Sequence, residues 1–286
     1  MKQWQGSSDL GLGMTVYSRQ RIWLFLARLQ QRYLIGPAST DARSTTTPGR
    51  TTIRLAEAAG QTVLDITALT DTTTDPGSTV TIANSDIIGV QTDDSTGDDI
   101  FWSTISANSS TGPTVTLAAA LPTGRPAAAG NYVWWFTSRA QRFPYCEAAV
   151  LRTSGYTDTE LTVYNDVLEY ELGVADKYAD GQPTAIMIEP LRVATRVTLN
   201  SQPTDVTSQI VLTVRYPQED YDATSNDIAL PQEGMAALAW ELAFRCAPAM
   251  QVPWTALMQK NYDNALGLYR RLNPEMSTAY FECGGP

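Results

Sequence analysis

The feature that most constrains the fold is the composition of residues 51–138, which are rich in Thr, Val, Ile and Gly. Short runs of alternating apolar and polar residues recur there, separated by turn signals such as Asp75-Pro76-Gly77-Ser78. A period of two is the pattern of a strand with one buried face. The segment therefore predicts a small inserted all-β domain, a barrel or a sandwich. Its candidate strands are residues 51–55, 62–67, 79–90, 100–106, 114–118 and 132–137.

The sequence before this segment shows helical spacing. Residues 17–34 predict an amphipathic helix that Gly36-Pro37 would end. Residues 38–50, rich in Ser, Thr, Pro and Gly, are expected to form a linker. The apolar positions of the predicted helix are Ile22, Phe25, Leu26, Leu29 and Tyr33.

After the β segment the sequence is mixed and then helical. Asp166, with Glu169 three residues later, predicts a capped helix to about residue 178. Strands are expected at residues 161–164, 185–189, 193–199 and 210–216. Two helices should follow, one beginning at Pro231 and stopped by Pro248, the other at residues 253–272. Their apolar stripes are Met235, Leu238, Leu242 and Cys246 in the first, and Leu257, Met258, Ala265, Leu268, Tyr269 and Leu272 in the second.

These patterns predict an α+β fold: a helical domain that carries a small inserted all-β domain and ends in an extended C-terminal arm. The expected boundaries are an N-terminal helix and linker at residues 1–50, the inserted domain at 51–138, the helical and mixed domain at 139–272, and the arm at 273–286.

Composition excludes several classes of function. The chain has no histidine, which removes Ser-His-Asp and Cys-His nucleophiles and histidine metal sites. Its three cysteines, Cys146, Cys246 and Cys283, are far apart and form no CxxC pair, so no zinc site or disulfide framework is indicated. A formal charge of −10 argues against tight nucleic-acid binding, because such affinity comes from neutralising phosphates.

No targeting or membrane-spanning pattern is evident in the sequence. Residues 1–10 lack the charged-then-apolar pattern of a signal peptide, and the apolar run at residues 22–27 is too short to cross a bilayer. We expect assembly in the cytosol, with no membrane as a partner.

The carboxylates offer two weak candidate sites. Asp93, Asp94, Asp98 and Asp99 surround Gly97, and a solvated acidic turn is favoured over a calcium site because the ligand order of a calcium loop is missing. Glu219 and Asp220, with Asp222 nearby, could serve glycoside hydrolysis, which needs two carboxylates at a defined separation. This is the residue set of one alternative function, a cell-wall hydrolase.

Aromatic residues supply the other candidates. Residues 132–136 hold Trp134 and Trp135: either alternate residues of this strand face the core of the β domain and leave one tryptophan at its surface, or the rings form a platform that stacks sugars or bases. A sugar platform would make the chain a carbohydrate-binding module. Trp254, beside Pro253, packs either at a helix entry or between subunits.

Several motifs, taken in order, resemble the podovirus-type head-to-tail adaptor family, whose members are also called tail accessory or packaged-DNA-stabilisation proteins. Each motif is weak alone, but together they span nearly the whole chain. The motifs are residues 16–19, 25–30, 100–105, 114–117, 121–122, 130–133, 175–177, 181–184, 211–216, 219–222, 230–234, 237–240, 242–243 and 247–248.

The resemblance implies a non-enzymatic structural subunit without a cofactor, located in the virion at the head–tail junction. Such a subunit would form a closed homo-oligomeric ring, expected to hold twelve copies, beneath the portal protein. Genomic DNA would pass through the ring without tight binding, and the other face would receive a tail, nozzle or tail-hub protein. The arm residues Tyr280, Phe281 and Glu282 would dock on the portal. Trp254, Trp134 and Trp135 are the candidates for contacts with other subunits or the tail.

Overall fold

The computed structural model describes residues 17–36, 43–74, 78–94, 97–110, 112–177, 179–217 and 232–272. The chain divides into two compact units. One consists of residues 17–217, and the described part of the other is residues 232–272.

The described residues form eighteen strands and three helices. The helices are α1 (Val167–Gly173), α2 (Gln232–Ala249) and α3 (Ala256–Leu272). The strands are β1 (Tyr17–Phe25), β2 (Arg32–Ile35), β3 (Ser44–Thr45), β4 (Gly49–Thr52), β5 (Val63–Asp65), β6 (Thr70–Asp71), β7 (Val80–Thr81), β8 (Ile87–Thr92), β9 (Asp99–Ser109), β10 (Thr114–Leu117), β11 (Tyr132–Phe136), β12 (Tyr145–Arg152), β13 (Asp158–Tyr164), β14 (Ala179–Asp180), β15 (Ala185–Pro190), β16 (Thr195–Leu199), β17 (Ser201–Gln202) and β18 (Gln209–Pro217).

The predicted α+β class, a helical adaptor domain with a small β insert, is wrong. Strands dominate the described residues, and all but two of those outside 49–136 form the larger of the two main sheets. The error begins at residues 17–34, where the predicted helix is replaced by β1 and β2. The expected linker at residues 38–50 contains β3 and the beginning of β4.

The physical reason is that β1 is buried on both faces. Ile22 and Leu24 point into one core while Phe25 points into another. Consecutive apolar residues result, and such a run satisfies a helical spacing as well as a strand spacing. Leu29, placed on the helix stripe by the sequence, is half exposed in a turn with a φ of 56°.

The larger sheet has eight strands in the order β2-β16-β15-β13-β12-β18-β1-β3. All pairings are antiparallel except β13 with β15. Side chains from β2 near one edge and from β1 near the other meet in a single core, so the sheet curls into a nearly closed barrel. That core includes Tyr33, Ile186, Val197, Leu212 and Val214.

The smaller sheet has six strands in the order β4-β11-β8-β9-β10-β5. Each of the six strands predicted within residues 51–138 overlaps a strand of the structure, and in β10 burial alternates from residue to residue as the sequence pattern predicts. Their core contains Leu64, Val90, Val115 and Val133, all fully buried. β1 joins this sheet to the larger one, since Phe25 packs among Trp102, Trp134 and Phe136 with ring centroids 5.3 to 6.0 Å away.

A second connection between the two sheets centres on Arg50 of β4. Its guanidinium lies 4.3 Å from the ring of Tyr156, in the β12–β13 hairpin, and 5.0 Å from that of Tyr132 on β11. It also donates a hydrogen bond to the Ser154 carbonyl at 3.1 Å. The backbone N–H of Arg50 donates to the Asp71 carboxylate at 2.8 Å. Residues 17–217 therefore behave as one packed unit.

The helices follow the sequence more closely. Asp166 caps α1 as predicted, accepting from the N–H groups of Leu168 and Glu169, although α1 already ends at Gly173. α2 and α3 pack against each other as a helical pair in the second unit. Pro248 lies in the last turn of α2. None of the helices in the described ranges is long and apolar enough to span a membrane.

Candidate interaction surfaces

Trp134 and Trp135, the candidate sugar platform or subunit contact, are both fully buried. β11 directs Trp134 toward Phe25, Ile100 and Val206, while Trp135 enters the core of the six-stranded sheet. Neither indole presents a ring face to solvent. Because stacking on a sugar needs an exposed ring face, the structure offers no platform at these positions.

Trp254 is half buried between the helices of the second unit. Its ring centroid lies 5.1 Å from that of Phe244 and 6.3 Å from that of Trp240, both on α2. Its Nε1 donates a hydrogen bond to the Gln259 side chain on α3 at 2.9 Å. Trp254 therefore fastens the start of α3 to α2, which was the packing alternative for this residue.

The aspartates around Gly97 are engaged by protein groups. Asp93 accepts from the Asn131 side chain at 2.9 Å, and Asp98 accepts from Gln91 at 2.8 Å. Asp94 and Asp99 both pair with Arg125, at 3.0 and 3.2 Å. Among the described residues no group of three or more potential ligands could hold a metal ion. The acidic turn is thus a hydrogen-bonded junction between neighbouring loops.

Cys146 is a poor candidate for a nucleophile. It lies in the core of the eight-stranded sheet, and burial raises the pKa of its thiol to about 12. A thiol with such a pKa carries almost no thiolate near neutral pH, and the thiolate is the reactive form. Glu219, Asp220 and Asp222, the candidate hydrolase carboxylates, and the arm residues Tyr280, Phe281 and Glu282 lie outside the described residues.

The most informative surface is on α2, which is apolar on two faces. The face toward α3 holds Ala237, which is buried, together with Trp240 and Phe244. The apolar stripe that the sequence predicted, from Met235 to Cys246, lies mostly in solvent: Leu242 is 61% exposed and Cys246 is exposed. A helix that is apolar all round normally has neighbours all round.

A buried carboxylate lies on the covered face of α2, and sequence reasoning missed it. Glu241 is 2% exposed and accepts hydrogen bonds from the Tyr262 hydroxyl of α3 at 2.7 Å and from Arg245 at 2.8 Å. Because Glu241 and Arg245 pair with each other, the exposed stripe between Met235 and Cys246 carries no unpaired charge. The signal in the sequence was a lone Glu between apolar residues, which a helical wheel assigns to solvent.

Comparisons with known proteins supply no relative. No family model, curated protein or solved structure matches the chain. The likeness to head-to-tail adaptors therefore rests on the residue motifs alone.

Proposed function

We propose that the chain is a structural subunit of a tailed-phage particle, a ring-forming adaptor that joins the portal protein to a tail, nozzle or tail-hub protein. The α2 face from Met235 to Cys246 carries this proposal. It supplies a hydrophobic surface for another polypeptide, and the residue motifs that resemble head-to-tail adaptors suggest which kind of assembly provides that polypeptide.

The composition of this face favours contact with protein over contact with water. Between Met235 and Cys246 the exposed side is made of Met, Ala, Leu and Cys, and the one acid of the segment is buried against α3. Covering a residue such as Leu242 contributes about 1–2 kcal/mol, since burial of a whole leucine side chain is worth about 1.5–3 kcal/mol. Small alanines between the larger residues allow a second helix to approach closely.

The size of the face suits an assembly of many weak contacts. α2 has 18 residues, so it is about 27 Å long. With a width of about 10 Å it offers roughly 300 Å², below the roughly 800 Å² per partner of a stable interface. One such contact is weak, and repetition around a closed ring would make the whole assembly stable.

The experiment is electron microscopy of the purified chain mixed with the portal protein of the same phage. The proposal expects rings stacked on portals. In the variant Leu242→Gln, stacked rings should become rare while the circular dichroism spectrum and thermal midpoint stay close to those of the unaltered chain, because Leu242 is 61% exposed.

Leu257→Gln is the matched control. It makes the same chemical change at a leucine that is 68% exposed on α3, where polar residues such as Lys260 and Asn264 share the surface. Stacking should survive this change. A chain that stays solitary beside the portal would refute the adaptor function, and equal losses in both variants would refute the role of α2.

A further inference from the structure

Two charged surfaces of opposite sign lie on the unit of residues 17–217, and neither belongs to the α2 face described above. Residues 165–181 contain five acids and one lysine, and all five acids are exposed. Residues 137–143 and 190–195 contain three arginines and no acid. In a chain with a net charge of −10, a cluster of arginines without acids is a local exception.

The first surface, here called the acidic helix surface, is the outer side of α1 with Leu168, Glu169, Glu171 and Leu172. α1 lies on the outside of the larger sheet, where Tyr170 packs against Ala185 and Met187 at the beginning of β15. Leu168 and Leu172 are one turn apart on the opposite side and are 66% and 80% exposed. Exposed leucines surrounded by carboxylates are a docking feature, since a solvated helix face would have polar residues there.

The second surface, here called the basic loop surface, holds Arg139, Arg142, Arg192 and Val193. The two loops that form it are held together, because Arg142 Nε donates to the Leu191 carbonyl and the Phe143 N–H donates to Thr195 Oγ1 at 3.1 Å. Val193 is 67% exposed at the tip of the β15–β16 turn. This surface thus also combines an exposed apolar side chain with charge.

We propose that the acidic helix surface of one copy binds the basic loop surface of a second copy, head to tail. The charges are complementary, and each surface supplies an apolar side chain for the other to cover. The proposal rests on the proposed function, for which it names the contact between neighbouring subunits.

The positions of the two surfaces on one unit decide against contact within a single copy. α1 covers Ala185 and Met187 near the beginning of β15, whereas the 190–195 loop continues from its last residue, Pro190, so the two surfaces lie toward opposite ends of this strand. Each surface is exposed in the single chain. Contact between two different surfaces of identical copies is heterologous, and it repeats until a ring closes or a filament grows.

The apolar side chains also favour protein over DNA as the partner of the basic loops. A phosphate backbone would use the arginines but would leave Val193 in water. A second copy uses both, because Leu168 or Leu172 can cover Val193 while the carboxylates meet the arginines.

The test is sedimentation velocity of the full-length chain at low ionic strength with charge-reversal variants. The unaltered chain should self-associate, and added salt should weaken the association because screening acts on exposed charges. Glu169→Lys/Glu171→Lys and Arg142→Glu/Arg192→Glu should each lower the association constant about tenfold or more. Equimolar mixing of these two variants should restore association, as should combining all four changes in one chain.

Lys260→Glu is the matched control, an exposed basic residue on α3 whose reversal should leave self-association unchanged. A monomeric unaltered chain, or variants that associate as the unaltered chain does, would overturn the contact without touching the portal experiment. If Arg142→Glu/Arg192→Glu loses duplex DNA binding while its self-association is normal, the basic loops serve DNA and the contact is also wrong.

Cross-linking provides a readout that survives if a reversal variant fails to fold. Leu172→Cys and Val193→Cys are combined in one chain in which Cys246 and Cys283 are replaced by serine. Mild oxidation should give a ladder of disulfide-linked oligomers, whereas either single cysteine should give no ladder. A chain that remains monomeric after oxidation, or ladders from a single cysteine, would overturn the contact.

Discussion

Removing the hydroxyl of Tyr262 should loosen the α2–α3 helical pair far more than removing Arg245, the partly exposed partner of the same carboxylate. The Tyr262 hydroxyl donates to the carboxylate of Glu241, which is 2% exposed. In Tyr262→Phe the ring can still stack on Phe244, whose centroid lies 5.8 Å away, so packing is preserved and one hydrogen bond to a charged group is lost. Loss of such a bond costs about 1.5–3 kcal/mol.

Arg245→Gln is the comparison, because it removes the other partner of the same carboxylate. The Arg245 side chain is 40% exposed and pairs with Glu241 across one helical turn. Pairs of this kind contribute about 0.3–0.5 kcal/mol, since water screens the guanidinium and the long side chain loses entropy. The two substitutions should therefore differ several-fold in how much they lower the free energy of opening the α2–α3 helical pair.

Hydrogen–deuterium exchange of peptides from α2 and α3 in the full-length chain measures this difference. A loss of about 1.5–3 kcal/mol corresponds to roughly 10- to 150-fold faster exchange through local opening. Arg245→Gln should accelerate exchange by no more than about threefold. Equal acceleration in both variants, or unchanged exchange in Tyr262→Phe, would refute the view that the buried hydrogen bond dominates.

Three further predictions concern single residues. Gly49→Ala should lower the thermal midpoint by an amount equivalent to about 1–3 kcal/mol, because its Cβ would fall inside van der Waals contact of the buried Trp135 ring; an unchanged midpoint would contradict the packing. Burial alone would raise the pKa of the Asp71 carboxyl, but hydrogen bonds from neighbouring hydroxyl and backbone N–H groups hold it below 3.8. Its contribution to stability is therefore fully present above the unfolded pKa and is lost as pH falls through the lower folded pKa. Denaturant titrations should show Asp71→Asn destabilised at pH near 7, and the difference from the unaltered chain should shrink as the pH falls below the ordinary range of an Asp carboxyl. A thiol reagent should label Cys246 in the native chain and Cys146 only after denaturation, because the Cys146 thiol is buried with a pKa of about 12. Mass spectrometry of the labelled peptides measures which cysteine has reacted, and rapid labelling of Cys146 in the native chain would contradict its burial.

The sequence predicted those elements whose pattern has a single interpretation. A strand of the smaller sheet such as β10 alternates cleanly because it has one buried face, and Asp166 predicts α1 through its capping chemistry. β1 could not be read in this way. Its residues serve two cores at once, so the apolar run from Ile22 onward lost the alternation that marks a strand.

The surfaces were harder to predict than the strands. The sequence predicts the apolar stripe from Met235 to Cys246, but it does not predict which apolar side of α2 faces α3. Only the position of α3 distinguishes the two sides. Trp134 and Trp135 are adjacent on β11 and were expected to point one inward and one outward. Both are buried because β11 has a core on each of its faces, as β1 does.

The double-sided burial of β1 has a consequence for how this protein can be dissected. A shortened chain without residues 49–136 would leave Phe25 and Val206 facing water where Trp134 and Phe136 now lie. The eight-stranded sheet would then expose an apolar surface where the smaller sheet now packs, and such a surface favours aggregation. Truncation is therefore an unsafe way to isolate either half, and point substitutions on the outside of the intact unit are the better tool.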